Sequence, residues 1–165
     1  MIAAAVAVTI LVGLTILIHY EVLRLTSALV PELGFVPPRA RVAFVVFACF
    51  AAHTIEVWLF ALAYFVFVFA GLGSFGGIHQ GTVADYVYFS VVTYTSLGFG
   101  DVYPIESMRL ISGVEALTGL LMIAWSASFT YLAMEQFWAL HGPEKWRPSF
   151  ARRGHLRSPS PPDHS

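Results

Sequence analysis

Residues 95–104 read Thr-Ser-Leu-Gly-Phe-Gly-Asp-Val-Tyr-Pro, with glycine at alternate positions 98 and 100. Glycine reaches left-handed backbone angles at little steric cost, so such a run can turn successive carbonyl oxygens to one side. A row of carbonyls is a ligand set for an alkali cation stripped of its water. By itself Gly-Phe-Gly-Asp is no more than a turn, and its meaning depends on what flanks it. A second group of reactive side chains sits in apolar surroundings: His53 and Glu56, on one helical face by their spacing, and Glu115. Ionisable groups are costly in lipid. Three readings of this buried polar cluster arise: a polar contact that docks helices, a proton sensor in which His53 titrates, and a metal site on His53 and Glu56 that lacks a third ligand.

The elements that must position these residues follow from composition. The chain has 165 residues, 58% of them apolar and 12% charged, with mean hydropathy +0.73. Soluble domains run at about half apolar and about a quarter charged, so this is the composition of a membrane protein. A net charge of −1 argues against a nucleic-acid partner. The single cysteine, Cys49, excludes an internal disulfide and a thiolate metal site. Residues 2–20 carry no charge, 42–70 hold only His53 and Glu56 as ionisable groups, and 110–134 hold only Glu115 as a charge. A hydrocarbon core of about 30 Å needs about 20 helical residues, so each stretch is long enough to span. The first stretch is expected to remain as a helix: no basic residue precedes it, and Glu21 and Arg24 separate it from any small-residue cleavage site.

Orientation follows from the basic residues. Arg24, Arg39 and Arg41 lie in the 21–41 connection, none lies in 71–106, and Lys145, Arg147, Arg152, Arg153 and Arg157 follow the third span. Positive residues mark the cytoplasmic side, which places the N-terminus outside, the first loop and C-terminus inside, and the 71–106 connection outside. That connection opens on a glycine-rich run and then presents Thr82-Val-Ala-Asp85, a capping-box pattern that starts a helix. About 12 apolar residues follow, about 18 Å of helix, which reaches only part of the way across and must turn back.

A re-entrant half-helix that leads into Thr95-Ser96-Leu97-Gly98-Phe99-Gly100-Asp101, followed by Tyr103-Pro104, resembles the signature of small pore-loop potassium channels. Ser90-Val91 and Thr93 match pore-helix positions upstream, and with the flanking helices the likeness covers about residues 42–140. The fold the resemblance implies is an all-α membrane protein, with three transmembrane helices and a re-entrant pore helix and selectivity-filter loop between the second and third. Its parts are a first helix 2–20, a cytoplasmic loop 21–41, and a pore domain 42–140. Within that domain lie an outer helix 42–70, pore helix 83–95, filter 96–100 and inner helix 106–140; a disordered cytoplasmic tail 141–165 follows.

The resemblance also implies roles. Thr95, Ser96, Leu97, Gly98, Phe99 and Gly100 form the filter, with K⁺ held at Ser96, Leu97, Gly98 and Phe99 by carbonyls and by the Ser96 hydroxyl as the innermost site. Leu97 and Phe99 point away from the pore and pack behind it. Asp101, Tyr88, Phe89 and Thr93 support it, and the pore helix aims its negative C-terminal end at the ion path. Ser96 stands where the family usually has Thr, keeping the hydroxyl and losing a methyl. Phe99 and Phe89 replace a hydrogen-bonded Tyr and Trp, losing donor and acceptor together, and Tyr88, in the place of the other Trp, is expected to hydrogen-bond Asp101. Gly119 is a gating-hinge candidate, with close helix packing as the other reading of the same glycine.

One filter strand cannot surround an ion, and the resemblance implies that four subunits surround the axis, a homotetramer in the lipid bilayer. No helix repeats Arg or Lys at every third position, which excludes a voltage sensor, and no ligand-binding domain is encoded. A soluble gating ligand would need an unidentified regulatory subunit. No cofactor is expected beyond K⁺ as permeant ion, and no enzymatic constellation is present. Two other readings are a weakly selective cation channel, suggested by Ser96, and a non-conducting haem-binding bundle on His19 and His53. The spans place those two histidines near opposite membrane faces, too far apart for one iron. Thr9, Thr15 and His19 are polar groups with which the first helix can bond the second.

Overall fold

In a computed structural model, residues 1–34, 36–77 and 79–141 are described; most of the expected tail lies outside them. The chain forms α1 (Ile2–Glu32), α2 (Pro38–Phe69), β1 (Ser74–Gly77), α3 (Val83–Tyr94), β2 (Val102–Ile105) and α4 (Met108–His141). α1, α2 and α4 are each long and apolar enough to cross a membrane, and α3 is the short half-helix between the last two. Their outward faces carry large apolar residues such as Phe47, Phe50, Leu62 and Leu121, as a lipid-facing surface requires.

The long helices pass the limits the charges suggested. α1 continues through Glu21 and Arg24 to Glu32, because the two charges lie on the helix surface as an i, i+3 pair, Arg24 Nε to Glu21 Oε2 at 2.8 Å. The expected 21–41 loop is thereby reduced to a short turn. Arg41 ties this turn by donating to the carbonyls of Val36 and Gly34, and α2 starts on Pro38, where a missing amide hydrogen costs nothing. At 31 residues, α1 is about 46 Å long, which moves His19 from a helix end to its interior.

α1 buries one stripe, Ala4, Leu11, Thr15, His19, Leu23, Thr26 and Val30, against α2 and α4. α3 lies among Phe60, Tyr64, Phe75, Tyr86, Phe89 and Ile111, the largest part of the core. β1 and β2 pair antiparallel, Ser74 opposite Ile105 and Gly77 opposite Val102. This small ribbon fastens the segment before α3 to the segment after the Gly-Phe-Gly turn, so both ends of the re-entrant loop are fixed.

Candidate functional site

The re-entrant loop starts with a closed cap. Thr82 Oγ1 accepts from the Asp85 amide, while Asp85 Oδ2 accepts from the Thr82 amide at 2.8 Å and the Gln80 amide at 3.0 Å. The Thr82 amide bond, then the Thr82 hydroxyl, hold the Asp85 carboxyl below the ordinary carboxylate range. A lowered value means that this stabilisation is present above the ordinary range and is lost as pH falls through the folded-state value. Asp85→Ala is therefore expected to melt below the wild type at neutral pH, and the difference should vanish in acid; thermal unfolding at both pH values checks this.

At its other end α3 stops in a Schellman motif. The Ser96 amide donates to Thr93 O at 2.9 Å and the Leu97 amide to Val92 O at 2.9 Å, with Ser96 at φ 58°. Left-handed backbone then recurs at alternate residues: Ser96 at 58°, Gly98 at 58° and Gly100 at 82°. The two glycines were legible in the sequence; the third position is a serine, whose side chain makes that conformation strained and held by its surroundings. Thr95 Oγ1 turns back to Val91 O at 2.8 Å, and Thr93 is half-buried. Leu97 and Phe99 are 58% and 65% exposed, so within one chain the side chains expected to pack behind the filter are mostly uncovered.

Beyond the turn, Tyr88 Oη donates to Asp101 Oδ2 at 2.8 Å, the hydrogen bond expected from the sequence, and Asp101 Oδ1 accepts from the Val102 amide at 3.0 Å. The bond to Asp101 raises the Tyr88 hydroxyl above its ordinary value. Phe89 is buried edge-on to Phe75 and Tyr64, with ring centroids at 4.6 and 5.1 Å. These two rings, not Phe99, are its aromatic neighbours among the described residues.

The expected cluster of His53, Glu56 and Glu115 is two clusters, on successive levels of α3. In one, Glu115 of α4 receives the Tyr64 hydroxyl of α2 and lies 2.5 Å from Ser90 Oγ of α3, which also reaches Val57 O at 2.9 Å. In the other, Glu56 of α2 receives the Tyr94 hydroxyl of α3 and lies with Oε1 2.9 Å from His19 Nδ1 of α1. His53 Nδ1 is 2.9 Å from Tyr94 Oη and 3.4 Å from Glu56 Oε2, and Ser126 Oγ of α4 is 3.2 Å from His19 Nε2. His19, Glu56 and Glu115 are fully buried. The separation arises from helical pitch: Glu56 and Tyr64 lie more than two turns apart along α2, and each cluster recruits the α3 hydroxyl at its own level.

His19 is therefore not remote from His53; the two rings stand 5.2 Å apart, tilted by 43°. The distance argument against a shared ligand fails because α1 extends through His19. The haem reading gains nothing, since imidazoles this close and aimed at one carboxylate leave no gap for a planar macrocycle. His19, Tyr64, Ser90, Tyr94 and Ser126 are site residues that sequence reasoning left out of the clusters. A signal for His19 existed in the spacing of Leu11, Thr15, His19, Leu23, Thr26 and Val30 along one face of a helix longer than its uncharged core. Of the other α1 hydroxyls, Thr9 bonds its own helix at Ala5 O, and Thr15 Oγ1 is the one buried side-chain polar atom without a partner among the described residues.

Gly119 of α4 sits against the end of α3: a Cβ there would lie 2.1 Å from the Tyr94 carbonyl oxygen. Close helix packing, one of the two readings of this glycine, is thus present in the fold. Against known proteins, residues 43–136 match a family model described as ion channel. No curated protein and no solved structure matches.

Proposed function

The chain belongs to the ion-channel family, matching its model over more than half of its length, and on that premise we propose that it is a potassium-selective channel whose ion path is completed by four copies. It is a multi-pass membrane protein in which α2, α3 and α4 form the pore unit and α1 is an added helix. The observation that carries the reading is the alternation of left-handed backbone at Ser96, Gly98 and Gly100 directly after a half-helix capped at both ends. Alternating hands turn consecutive carbonyls to one side, which is what a stack of cation sites needs. The Tyr88–Asp101 bond and the β1–β2 ribbon brace that segment from outside.

Four copies are favoured by geometry and by exposure. One row of carbonyls forms only a fraction of a coordination shell, and exposed Leu97 and Phe99 need neighbouring chains behind them. Arg24, Arg39 and Arg41, on the helices flanking the first turn, with the basic residues beyond α4, favour a cytoplasmic C-terminus with the N-terminus and filter loop outside. Permeation is passive, without a voltage sensor, and K⁺ is the transported ion.

The test is the reversal potential of the purified chain in a planar bilayer with K⁺ on one side and Na⁺ on the other. The expected value lies near the K⁺ equilibrium potential. Current that reverses near zero would overturn selectivity and favour the weakly selective pore, for which the missing methyl at Ser96 is the specific observation.

A further inference from the structure

We propose that His19, His53 and Glu56 form a binding site for a divalent transition metal of the zinc class, inside the membrane and against the end of the pore helix. The three offer one ligand atom each within 4.8 Å of one another. Two imidazoles and a carboxylate are a donor set suited to Zn²⁺ and its first-row neighbours rather than to Mg²⁺ or Ca²⁺, which take oxygen. Metal bonds of about 2.0–2.1 Å in a tetrahedral shell separate ligand atoms by about 3.4 Å. His19 Nδ1 lies 2.9 Å from Glu56 Oε1 and His53 Nδ1 3.4 Å from Glu56 Oε2, so a metal bound through one of these oxygens needs only a small rotation of the carboxylate to draw both nitrogens to it. Both Nδ1 atoms converge on one carboxylate, and Tyr94 Oη, 2.9 Å from His53 Nδ1, donates to the same carboxylate.

Two further features distinguish a metal site from a chance meeting of polar groups. The outer nitrogen of His19 has a partner, Ser126 Oγ at 3.2 Å. Moving the imidazole proton from Nδ1 to Nε2 frees Nδ1 for a metal and reverses that bond, so Nε2 donates to the serine and holds the ring, as ligand histidines usually are held. Access exists as well: His53 and Tyr94 line a cleft of about 460 Å³ with Phe50, Val57, Val91 and Ile123, while His19 and Glu56 lie behind it, fully buried. A metal here would join α1 to α2 beside Tyr94, the last residue of α3, whose hydroxyl donates to the ligand carboxylate.

Trp125 supplies a reporter, its ring 5.3 Å from that of His19. The experiment is a Co²⁺ titration of the full chain, purified in detergent without a histidine tag and stripped with chelator. Visible absorption and tryptophan fluorescence are followed, with Zn²⁺ as competitor. Expected are one Co²⁺ per chain, the intense bands of a low-coordinate N/O site, and saturable quenching that Zn²⁺ reverses. Ser126→Ala should weaken binding about 10- to 100-fold, and His19→Asn with His53→Asn should abolish it. Absence of saturable binding at millimolar Co²⁺ and Zn²⁺ would overturn the proposal, leaving a hydrogen-bonded cluster. Binding that survives the double substitution would also overturn it, since it would belong to His79, His141, His155 or His164. Should that variant not fold, Glu56→Gln decides: its Co²⁺ binding should be weakened, and binding equal to wild type would overturn the site. Binding is read without current, so its failure is distinct from a failure of potassium selectivity.

Discussion

Glu56→Leu is expected to destabilise the protein by about 1 to 3 kcal/mol. The carboxylate is fully buried and is the acceptor for His19, the partner of His53 and the acceptor for Tyr94, which belong to three different helices. Interhelical hydrogen bonds within membranes are worth about 0.6 to 1.7 kcal/mol each, less than a buried charge network in a soluble core, because the separated helices find other partners. Two of them, from His19 and Tyr94, give the range stated, since His53 shares α2 with Glu56. Leucine is close enough in size that a cavity contributes little, so the loss measures the polar contacts. Glu56→Gln, which keeps one acceptor oxygen, should fall between wild type and Glu56→Leu. The check is unfolding of the detergent-solubilised protein by a denaturing detergent, with equal stability of Glu56→Leu and wild type as the contrary result.

Gly119→Ala is expected to lower stability by about 1–3 kcal/mol, the usual cost of forcing an extra carbon into a packed interior. The added Cβ would meet the carbonyl of Tyr94 at 2.1 Å, a backbone atom that moves only if α3 moves. The sign of the effect decides between the two readings of this glycine. A glycine kept only as a hinge costs its helix about 1 kcal/mol relative to alanine, so replacing it would stabilise the fold while altering gating. Gly113, on the same helix with open space around it, supplies the internal control: Gly113→Ala should stabilise. If both substitutions stabilise in thermal unfolding, the packing role of Gly119 is wrong.

Much of the architecture was legible along the chain for physical reasons that act locally. Lipid excludes charge and demands closed backbone hydrogen bonding, so uncharged runs reveal spans. The Thr82–Asp85 cap needs only adjacent residues, and the hydrogen bond between Tyr88 and Asp101 needs only a helix and the turn after it. Gly98 and Gly100 declare their backbone angles by lacking a side chain. Ser96 declares nothing, and its left-handed angle comes from ending α3 in a Schellman motif.

Composition, periodicity and capping are properties of neighbours in the chain, and they suffice to read a membrane protein with three spans and a half-helix leading into a glycine-alternating turn. Tertiary structure alone decided which buried polar groups meet. His19 pairs with a residue 37 positions away and Ser126 with one 107 positions away, and Glu115 lies with Tyr64 rather than with Glu56. The reason is geometric: a helix fixes the angular position of each residue, but the depth at which two helices face each other is set by where each one ends. α1 ends beyond the charges that had marked its limit.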